Sequence, residues 1–360
     1  MRKICTVVGA RPQFIKLAVV SRVLRKQYHE VLIHTGQHYD PNLSDVFFAE
    51  LDIPQPDYHL GVSGGSHGQM TGNMLIKIEE VLMKERPDLL LVFGDTNSTL
   101  AGALAAVKLH IPVCHVEAGN RLGTLENPEE VNRIVTDHVS SLHLACTASS
   151  EEFLKKEGFG PSVHLVGDPM YDAFLYYSTG LDGSELDALT DLDGKPVSVP
   201  EVFYYMTCHR QENTAADEKL EQILQAMNCL NIPTIYPVHP RSQARATRLC
   251  QTGRYPNIIL TQPVGYRASL SLVHRAEKIV TDSGGLQREA FFAGKQCVTV
   301  FDYVTWPETM VNGCNQLAKP EKEDVLSKLA IKAEFDPTYR PFGDGRAAKK
   351  IVGWIQNLLR

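Results

Sequence analysis

Short apolar runs alternate with amphipathic stretches along the chain. The runs ICTVVGA, EVLIHTG, DLLLVFGD and PVCHVEAG are rich in β-branched residues and end in glycine or polar residues, and helical stretches such as QFIKLAVVSRVLRK and TLAGALAAVKL lie between them. The same rhythm returns in VFYYMTCHR, TIYPVH, IILTQP, KIVTDSGG and CVTVFD. Continuous apolar strands that alternate with helices predict parallel sheets covered by helices on both faces.

The chain length indicates two domains. A chain of 360 residues is long for one hydrophobic core, and a segment rich in glycine, aspartate and serine follows GDPMYDA near the middle. We predict an α/β protein with two Rossmann-like, doubly wound domains, 1–172 and 173–344. The amphipathic segment 345–360 is expected to form a helix that packs back on the first domain.

Composition restricts the partners. A net charge of −6 argues against nucleic acid and anionic membranes as partners, and no apolar run is long enough to span a bilayer. The first apolar stretch is interrupted by Gly9, Arg11 and Pro12, so it predicts a strand rather than a secretion signal. Eight scattered cysteines without metal-type spacing indicate reduced thiols and a cytoplasmic location.

The segment TDSGGLQREA is a candidate anion site. Ser283, Gly284 and Gly285 follow a predicted strand and open a helix, where free backbone N–H groups favour negative charge, and Glu289 lies one turn on for a ribose. A simple serine cap explains the local pattern equally well. No predicted strand is followed by GxGxxG or GxxxxGK, so the phosphate is expected to belong to the substrate and no NAD cofactor is expected.

Two cations and three acids occupy other strand ends. Arg11 and Lys16 lie at the first strand-to-helix junction and suit a pyrophosphate, although Lys16 could equally be a solvated helix residue. Asp95 and Glu117 end two apolar strands. Asp95 could serve only as a helix cap, whereas a carboxylate after a buried strand needs a partner or a substrate. Two such acids can form an acid/base pair.

Further candidates come from one helix and from the second half. Glu129 precedes Arg133 by four residues, which places both on one helical face. His209 and His239 each follow a strand and suit proton transfer or phosphate binding; Tyr266 is a further candidate substrate-binding residue. The pair His34 and His38 matches no strong metal motif, so no metal is expected.

Taken in order, nine motifs resemble those of the non-hydrolysing UDP-N-acetylglucosamine 2-epimerases. They are GARPQFIK, TGQHYD, GDTNSTLA, HVEAG, PEEVNR, GDPMYDA, HRQEN, YPVHP and TDSGGLQREA, and they extend over essentially the whole chain. The first two look most like the branch that includes UDP-2,3-diacetamido-glucuronate 2-epimerases. Two places depart from the family pattern: Trp306 replaces an arginine before a Pro-Glu pair, and Tyr39 and Asp40 differ at a position linked to activation by a second UDP-sugar.

The resemblance implies a glycosyltransferase B type fold, an active site in the interdomain cleft and a homodimer. It implies inversion of a UDP-2-acetamido sugar at C2 by elimination and re-addition of UDP. It assigns acid/base roles to Asp95, Glu117 and Glu129, with Arg133 and His209 beside them, and UDP binding to Arg11, Ser283, Gly284, Gly285 and Glu289, with Lys16 near the phosphates or sugar. A UDP-dependent glycosyltransferase, a hydrolysing epimerase and a non-catalytic UDP-sugar sensor remain alternatives.

Overall fold

The computed structural model describes residues 1–37, 47–250 and 253–360, and these residues form two compact units. Unit 1 contains Met1–Leu175 and Arg340–Arg360, and unit 2 contains Tyr176–Tyr339. His38, Tyr39 and Asp40, singled out in the sequence, lie outside the described residues.

Unit 1 is built on a parallel sheet of seven strands. Along the chain the strands are β1 (Lys3–Val8), β2 (His29–His34), β3 (Tyr58–His59), β4 (Leu89–Phe93), β5 (Val113–Val116), β6 (Leu142–Ala145) and β7 (Val163–Leu165). Their order in the sheet is β3-β2-β1-β4-β5-β6-β7. Every residue of β4 is buried, as expected for a central strand covered on both faces.

Helices connect these strands. They are α1 (Arg11–Leu24), α2 (His67–Glu85), α3 (Asn97–Lys108), α4 (Pro128–Val139), α5 (Ala148–Lys156) and α6 (Pro169–Ser178), with a 3₁₀ turn at Gly160–Ser162. Side-chain caps start several of them. Thr96 accepts the Thr99 amide at the start of α3, and Asn127 accepts the Glu130 amide at the start of α4. The capping role considered for Asp95 therefore belongs to Thr96.

Unit 2 repeats the plan with six parallel strands. These are β8 (Tyr204–Thr207), β9 (Thr234–Pro237), β10 (Ile258–Thr261), β11 (Ile279–Thr281), β12 (Cys297–Val300) and β13 (Asn315–Ala318), in the order β10-β9-β8-β11-β12-β13. The helices are α7 (Gln211–Thr214), α8 (Asp217–Asn228), α9 (Pro240–Cys250), α10 (Tyr266–Arg275), α11 (Gly284–Phe292) and α12 (Lys322–Ala330), with 3₁₀ segments at Ser184–Leu186 and Pro307–Gly313. The predicted fold class, two Rossmann-like α/β domains, is confirmed.

The last helix, α13 (Ala347–Leu358), belongs to unit 1 and packs against α1. The Asp172 carboxylate accepts the amides of Ala347 and Ala348 at 3.0 and 2.9 Å. A carboxylate at a helix N-terminus satisfies free amides and favours the helix dipole. Among all described residues, no helix combines the length and apolarity that crossing a bilayer requires.

Strand order places the site. In unit 1 the order reverses between β1 and β4, and in unit 2 it reverses between β8 and β11. In open parallel sheets, ligands bind beyond the carboxyl ends of the strands at such a reversal. Each of these four strands is followed, within two or three residues, by a residue predicted from the sequence: Arg11, Asp95, His209 and Ser283. The strand order therefore explains why polar residues gather at the carboxyl ends of these strands.

Candidate active site

Glu117, directly after β5, forms a buried ion pair with Lys16 of α1. The Lys16 ammonium lies 2.5 Å from the Glu117 carboxylate, and the two side chains are 3% and 9% exposed. Lys16 is therefore not the solvated helix residue that the sequence left open. The ammonium compensates the charge of the buried carboxylate and fixes its orientation.

The backbone of Glu117 is strained. Its φ is +70°, in the left-handed region that few residues other than glycine adopt. Strained backbone persists only when the surroundings enforce it, and it clusters at functional sites. Here the amides of Glu117 and Ala118 both donate to the Leu144 carbonyl of the neighbouring strand, at 3.0 and 3.2 Å. The loop is thus held in the conformation that presents the carboxylate.

Asp95, after β4, is paired with Arg133 of α4. The Arg133 Nε and one terminal nitrogen donate to the same Asp95 oxygen at 2.9 and 2.6 Å. The other terminal nitrogen donates to Glu130 at 2.7 Å. Burial alone lowers the pKa of Arg133, but the two carboxylates outweigh it and raise that pKa. The guanidinium is therefore a permanent cation between two acids.

The ion pair within α4 adds a partner that the sequence interpretation did not name. Glu129 and Arg133 were predicted to share one helical face, and the ion pair of Arg133 within α4 is with Glu130, three residues earlier. Glu130 is 1% exposed and also accepts the amides of Leu122 and Gly123, so it fixes the preceding loop. Glu129 is half-buried on the same helix.

The two charged pairs lie close together around Gly94. A Cβ placed on Gly94 would be 3.4 Å from both the Glu117 carboxylate and the Lys16 ammonium, and Gly94 directly precedes Asp95. Unit 1 thus brings Lys16, Asp95, Glu117 and Arg133 to one edge of its sheet. A carboxylate cluster with two fixed cations suits proton transfer beside a bound anion.

The loop that carries Arg11 is held by Gln13, a residue that the sequence analysis did not single out. The Gln13 side chain accepts the amides of Gly9 and Ala10 and donates to the Phe93 carbonyl, Thr96 and Thr99. It ties the loop after β1 to the loop after β4. Arg11 itself starts α1, half-buried, with its guanidinium carbon 4.5 Å from the centre of the Phe47 ring.

In unit 2, Asp282 organises the loop that carries His209. The Asp282 carboxylate accepts the amides of His209 and Arg210 at 2.9 Å, and the His209 ring nitrogen lies 3.4 Å from its other oxygen. His209 and His239 have ring centres 5.9 Å apart and near-parallel planes. Asp282 follows a buried strand, as Glu117 does, and that shared signal could have identified it.

The predicted anion site at the start of α11 has the expected geometry. The helix begins at Gly284, and the Ser283 side chain accepts the Leu286 amide as its cap. Ser283, Gly284 and Gly285 are partly exposed, whereas Glu289 is 5% exposed one turn later. The Ser283 amide donates to the Thr281 hydroxyl at 2.9 Å, so binding of an anion at this helix start would fall to the amides of Gly284 and Gly285.

Tyr266 and His34 have packed surroundings. Tyr266 begins α10 at 1% exposure, and its ring meets Tyr177 edge-on at 5.6 Å within unit 2. His34 ends β2 at 1% exposure and stacks on Phe14 and His59, at 5.2 and 4.6 Å.

One buried group has ligand atoms at metal-binding separations. Oxygen or sulfur atoms of Glu117, Cys146 and Asp168 lie within 4.8 Å of one another. The ammonium of Lys16 already contacts this Glu117 carboxylate at 2.5 Å. A metal ion would have to displace that cation, so the charge arrangement favours the ion pair.

Two Rossmann-like units, one with paired acids and cations and one with a serine-capped, glycine-rich helix start, are typical of a nucleotide-binding α/β enzyme. The chain belongs to the UDP-N-acetylglucosamine 2-epimerase family, whose sequence profile matches residues 22–356. The family resemblance inferred from the motifs is confirmed.

Individual relatives align with this chain over nearly its full length. A UDP-N-acetylglucosamine 2-epimerase homolog from Methanococcus maripaludis is 45% identical, with 99% of this chain and 100% of that protein covered. The UDP-2,3-diacetamido-2,3-dideoxy-D-glucuronate 2-epimerase of Pseudomonas aeruginosa is 41% identical at the same coverage. The crystal structure of Methanocaldococcus jannaschii UDP-GlcNAc 2-epimerase in complex with UDP-GlcNAc and UDP has a TM-score of 0.89 and 36% identity, with 99% of each chain covered.

Proposed function

We propose that this enzyme inverts C2 of a UDP-2-acetamido sugar, of the UDP-GlcNAc to UDP-ManNAc type, without hydrolysing the nucleotide. The observation that carries the proposal is the cluster of Asp95 and Glu117, each held by its own buried cation at the tip of a neighbouring strand. The family membership supports the same reaction. The substrate class is a UDP-sugar, and no cofactor takes part.

The chemistry follows from the weak acidity of the C2 proton, which has no adjacent carbonyl. A carboxylate removes this proton while the C1–O bond breaks; the C2–H electron pair forms a C1–C2 double bond, and UDP leaves with the C1–O pair. Returning a proton to the opposite face of C2, as a UDP oxygen adds to C1, gives the epimer. Asp95, Glu117 and Glu129 are the proposed proton-transfer groups, and His209 is proposed as a further catalytic residue.

The leaving diphosphate requires stabilisation of its negative charge. We assign this role to Arg11 and to the helix start at Ser283, Gly284 and Gly285, because cations and free amides stabilise charge as it develops. The other proposed substrate contacts, each placed on one of the loops or helices described above, come from Lys16, Arg133, His239, Tyr266 and Glu289.

Family membership also supports proposals about the domains, the assembly and the location of the protein. We propose functional domains at 1–172 with 345–360 and at 173–344, a homodimer, and a cytoplasmic location. Sedimentation velocity of the purified protein tests the assembly: a dimer mass is expected, and a monomer at all concentrations contradicts it.

A second substrate is favoured by the 41% identity to the Pseudomonas enzyme. UDP-2,3-diacetamido-glucuronate differs at C3 and C6 but carries the same reacting C1 and C2 atoms. Both donors are therefore tested separately. The enzyme is incubated with each in deuterated water and C2 is followed by proton NMR.

The expected result is deuterium at C2, formation of the manno epimer and UDP still attached at equilibrium. Asp95→Asn and Glu117→Gln are expected to abolish exchange. Glu152→Gln is the matched control, because this acid forms an exposed i,i+4 pair with both side chains 67% exposed. UDP released once for each turnover indicates hydrolysis instead. No exchange with either donor rejects the proposal and favours glycosyl transfer.

A further inference from the structure

Asp137, one turn beyond Arg133 on α4, forms a fully buried junction that the proposed chemistry does not use directly. One carboxylate oxygen lies 2.6 Å from Nδ1 of His115, in β5. The other accepts the Gly119 amide at 3.1 Å and contacts the Arg121 guanidinium at 2.8 Å. Both the Asp137 and His115 side chains have no solvent exposure. Every oxygen of this carboxylate is thus engaged.

His115 links Asp137 to the loop after β4. Its second ring nitrogen, Nε2, lies 2.7 Å from the Gly94 carbonyl oxygen. The two groups that face the ring nitrogens, a carboxylate and a carbonyl, are both hydrogen-bond acceptors. The ring therefore bridges Asp137 to the loop after β4. Charge-assisted hydrogen bonds of this kind are short and strongly directional.

The anchored atoms flank the two acids. Gly94 directly precedes Asp95, and Gly119 follows Glu117 by two residues. The Gly94 amide also donates to the Val116 carbonyl at 2.9 Å. Together these contacts fix both loops to one another and to α4. The same helix holds the Asp95 side chain through Arg133, so it constrains both the backbone and the carboxylate.

We propose that His115 and Asp137 are positioning residues that set the separation and orientation of the Asp95 and Glu117 carboxylates. The inference rests on the proposed function, since it names those two acids as the reacting groups. Displacing a catalytic group by about 1 Å can lower a rate by about 100-fold. An effect of that size on turnover is expected, with nucleotide binding retained.

A buried pair can also serve only to stabilise the fold, and the chain offers a matched control for that alternative. His143 is 1% exposed and contacts the same aspartate, but only through the Asp137 main-chain oxygen, at 2.7 Å. Its other ring nitrogen binds Ser162. It therefore matches His115 in burial and neighbourhood, but its ring bonds the Asp137 main chain and Ser162 rather than the Asp137 carboxylate and the loop after β4.

The experiment compares His115→Gln, Asp137→Asn and His143→Gln in the full-length protein. It measures kcat and KM for the UDP-sugar turned over by the wild type, the UDP dissociation constant by calorimetry, and the melting temperature. His115→Gln and Asp137→Asn are expected to lower kcat about 100-fold, with UDP affinity unchanged. His143→Gln is expected to lower the melting temperature while kcat is retained. Equal losses of kcat in all three variants, or none in the first two, overturn the proposal.

Hydrogen exchange of the wild-type chain tests the contact between Asp137 and the Gly119 amide even if a variant fails to fold. The Gly119 amide is expected to be as protected as those of β5, because it donates to a buried carboxylate. Fast exchange at Gly119 with β5 protected overturns the inference. An inactive wild type with a protected Gly119 rejects the proposed function instead, so the two failures are distinguishable.

Discussion

Replacing Lys16 with methionine is expected to destabilise the protein strongly, because it leaves the Glu117 carboxylate buried without its cation. At 2.5 Å and an effective dielectric constant of about 20, the attraction is about 7 kcal/mol. Desolvation of each ion opposes it by several kcal/mol, so the intact pair contributes little net stability. Removing one partner leaves the other's desolvation uncompensated, at a cost of about 3–5 kcal/mol.

The loss is measured by calorimetry or urea denaturation. For a unit of about 200 residues, each kcal/mol shifts the melting temperature by about 2–4 °C, so a fall of roughly 6–20 °C is expected. Lys155→Met is the control, since it removes the same group from an exposed i,i+4 pair with Glu151, where the expected loss is below about 1 kcal/mol. The double variant Lys16→Met with Glu117→Gln is expected to regain most of the loss. The reasoning is refuted if Lys16→Met is no less stable than Lys155→Met.

Three further outcomes are expected. Gly119→Ala should lower the free energy of unfolding, measured by urea denaturation, by about 3 kcal/mol, because φ is +83° and the new Cβ would lie 2.3 Å from a main-chain oxygen. Gly158→Ala is the control and should lower it clearly less, because its φ is +94° but the new Cβ would enter open space. Burial raises the pKa of Asp137, but the interactions with His115 and the Arg121 guanidinium outweigh it, so its pKa is lowered from its ordinary value. Its stabilisation is therefore present above about pH 4 and lost as pH falls through the lowered pKa, and Asp137→Asn should flatten the acid limb of a stability–pH curve. With a thiol reagent at pH 8, the exposed Cys229 should react first, whereas burial raises the pKa of Cys5 to about 12 and should keep it unreactive in the folded protein.

Periodicity was sufficient to predict the two parallel sheets, because buried parallel strands are continuously apolar and the helices between them are amphipathic. The same logic located the loops after the strands, and with them Asp95, Glu117 and Ser283. A buried strand can be recognised from its own residues, without knowing which strands lie beside it.

Ion pairs and hydrogen bonds between elements that are distant in sequence could not be predicted in this way. Whether Arg133 meets Glu129 or Glu130 depends on how α4 is rotated against the sheet, and the assignment of the α3 cap to Thr96 depends on where β4 ends. His115 gave a signal that was not used: a histidine inside an otherwise apolar strand has to find buried partners. Identifying those partners as Asp137 and Gly94 required the strand order and the packing of α4.

The left-handed backbone at Glu117 and the ion pair of its side chain with Lys16 have opposite effects on stability. At φ of +70° glycine is the residue of lowest energy, and any side chain adds strain of order 1 kcal/mol or more. A glycine at this position would therefore relieve the backbone strain, but it would leave the Lys16 ammonium buried without its anion, at a cost of about 3–5 kcal/mol. The ion pair thus outweighs the strain that it imposes, and a search for stabilising substitutions would retain the carboxylate together with its lysine.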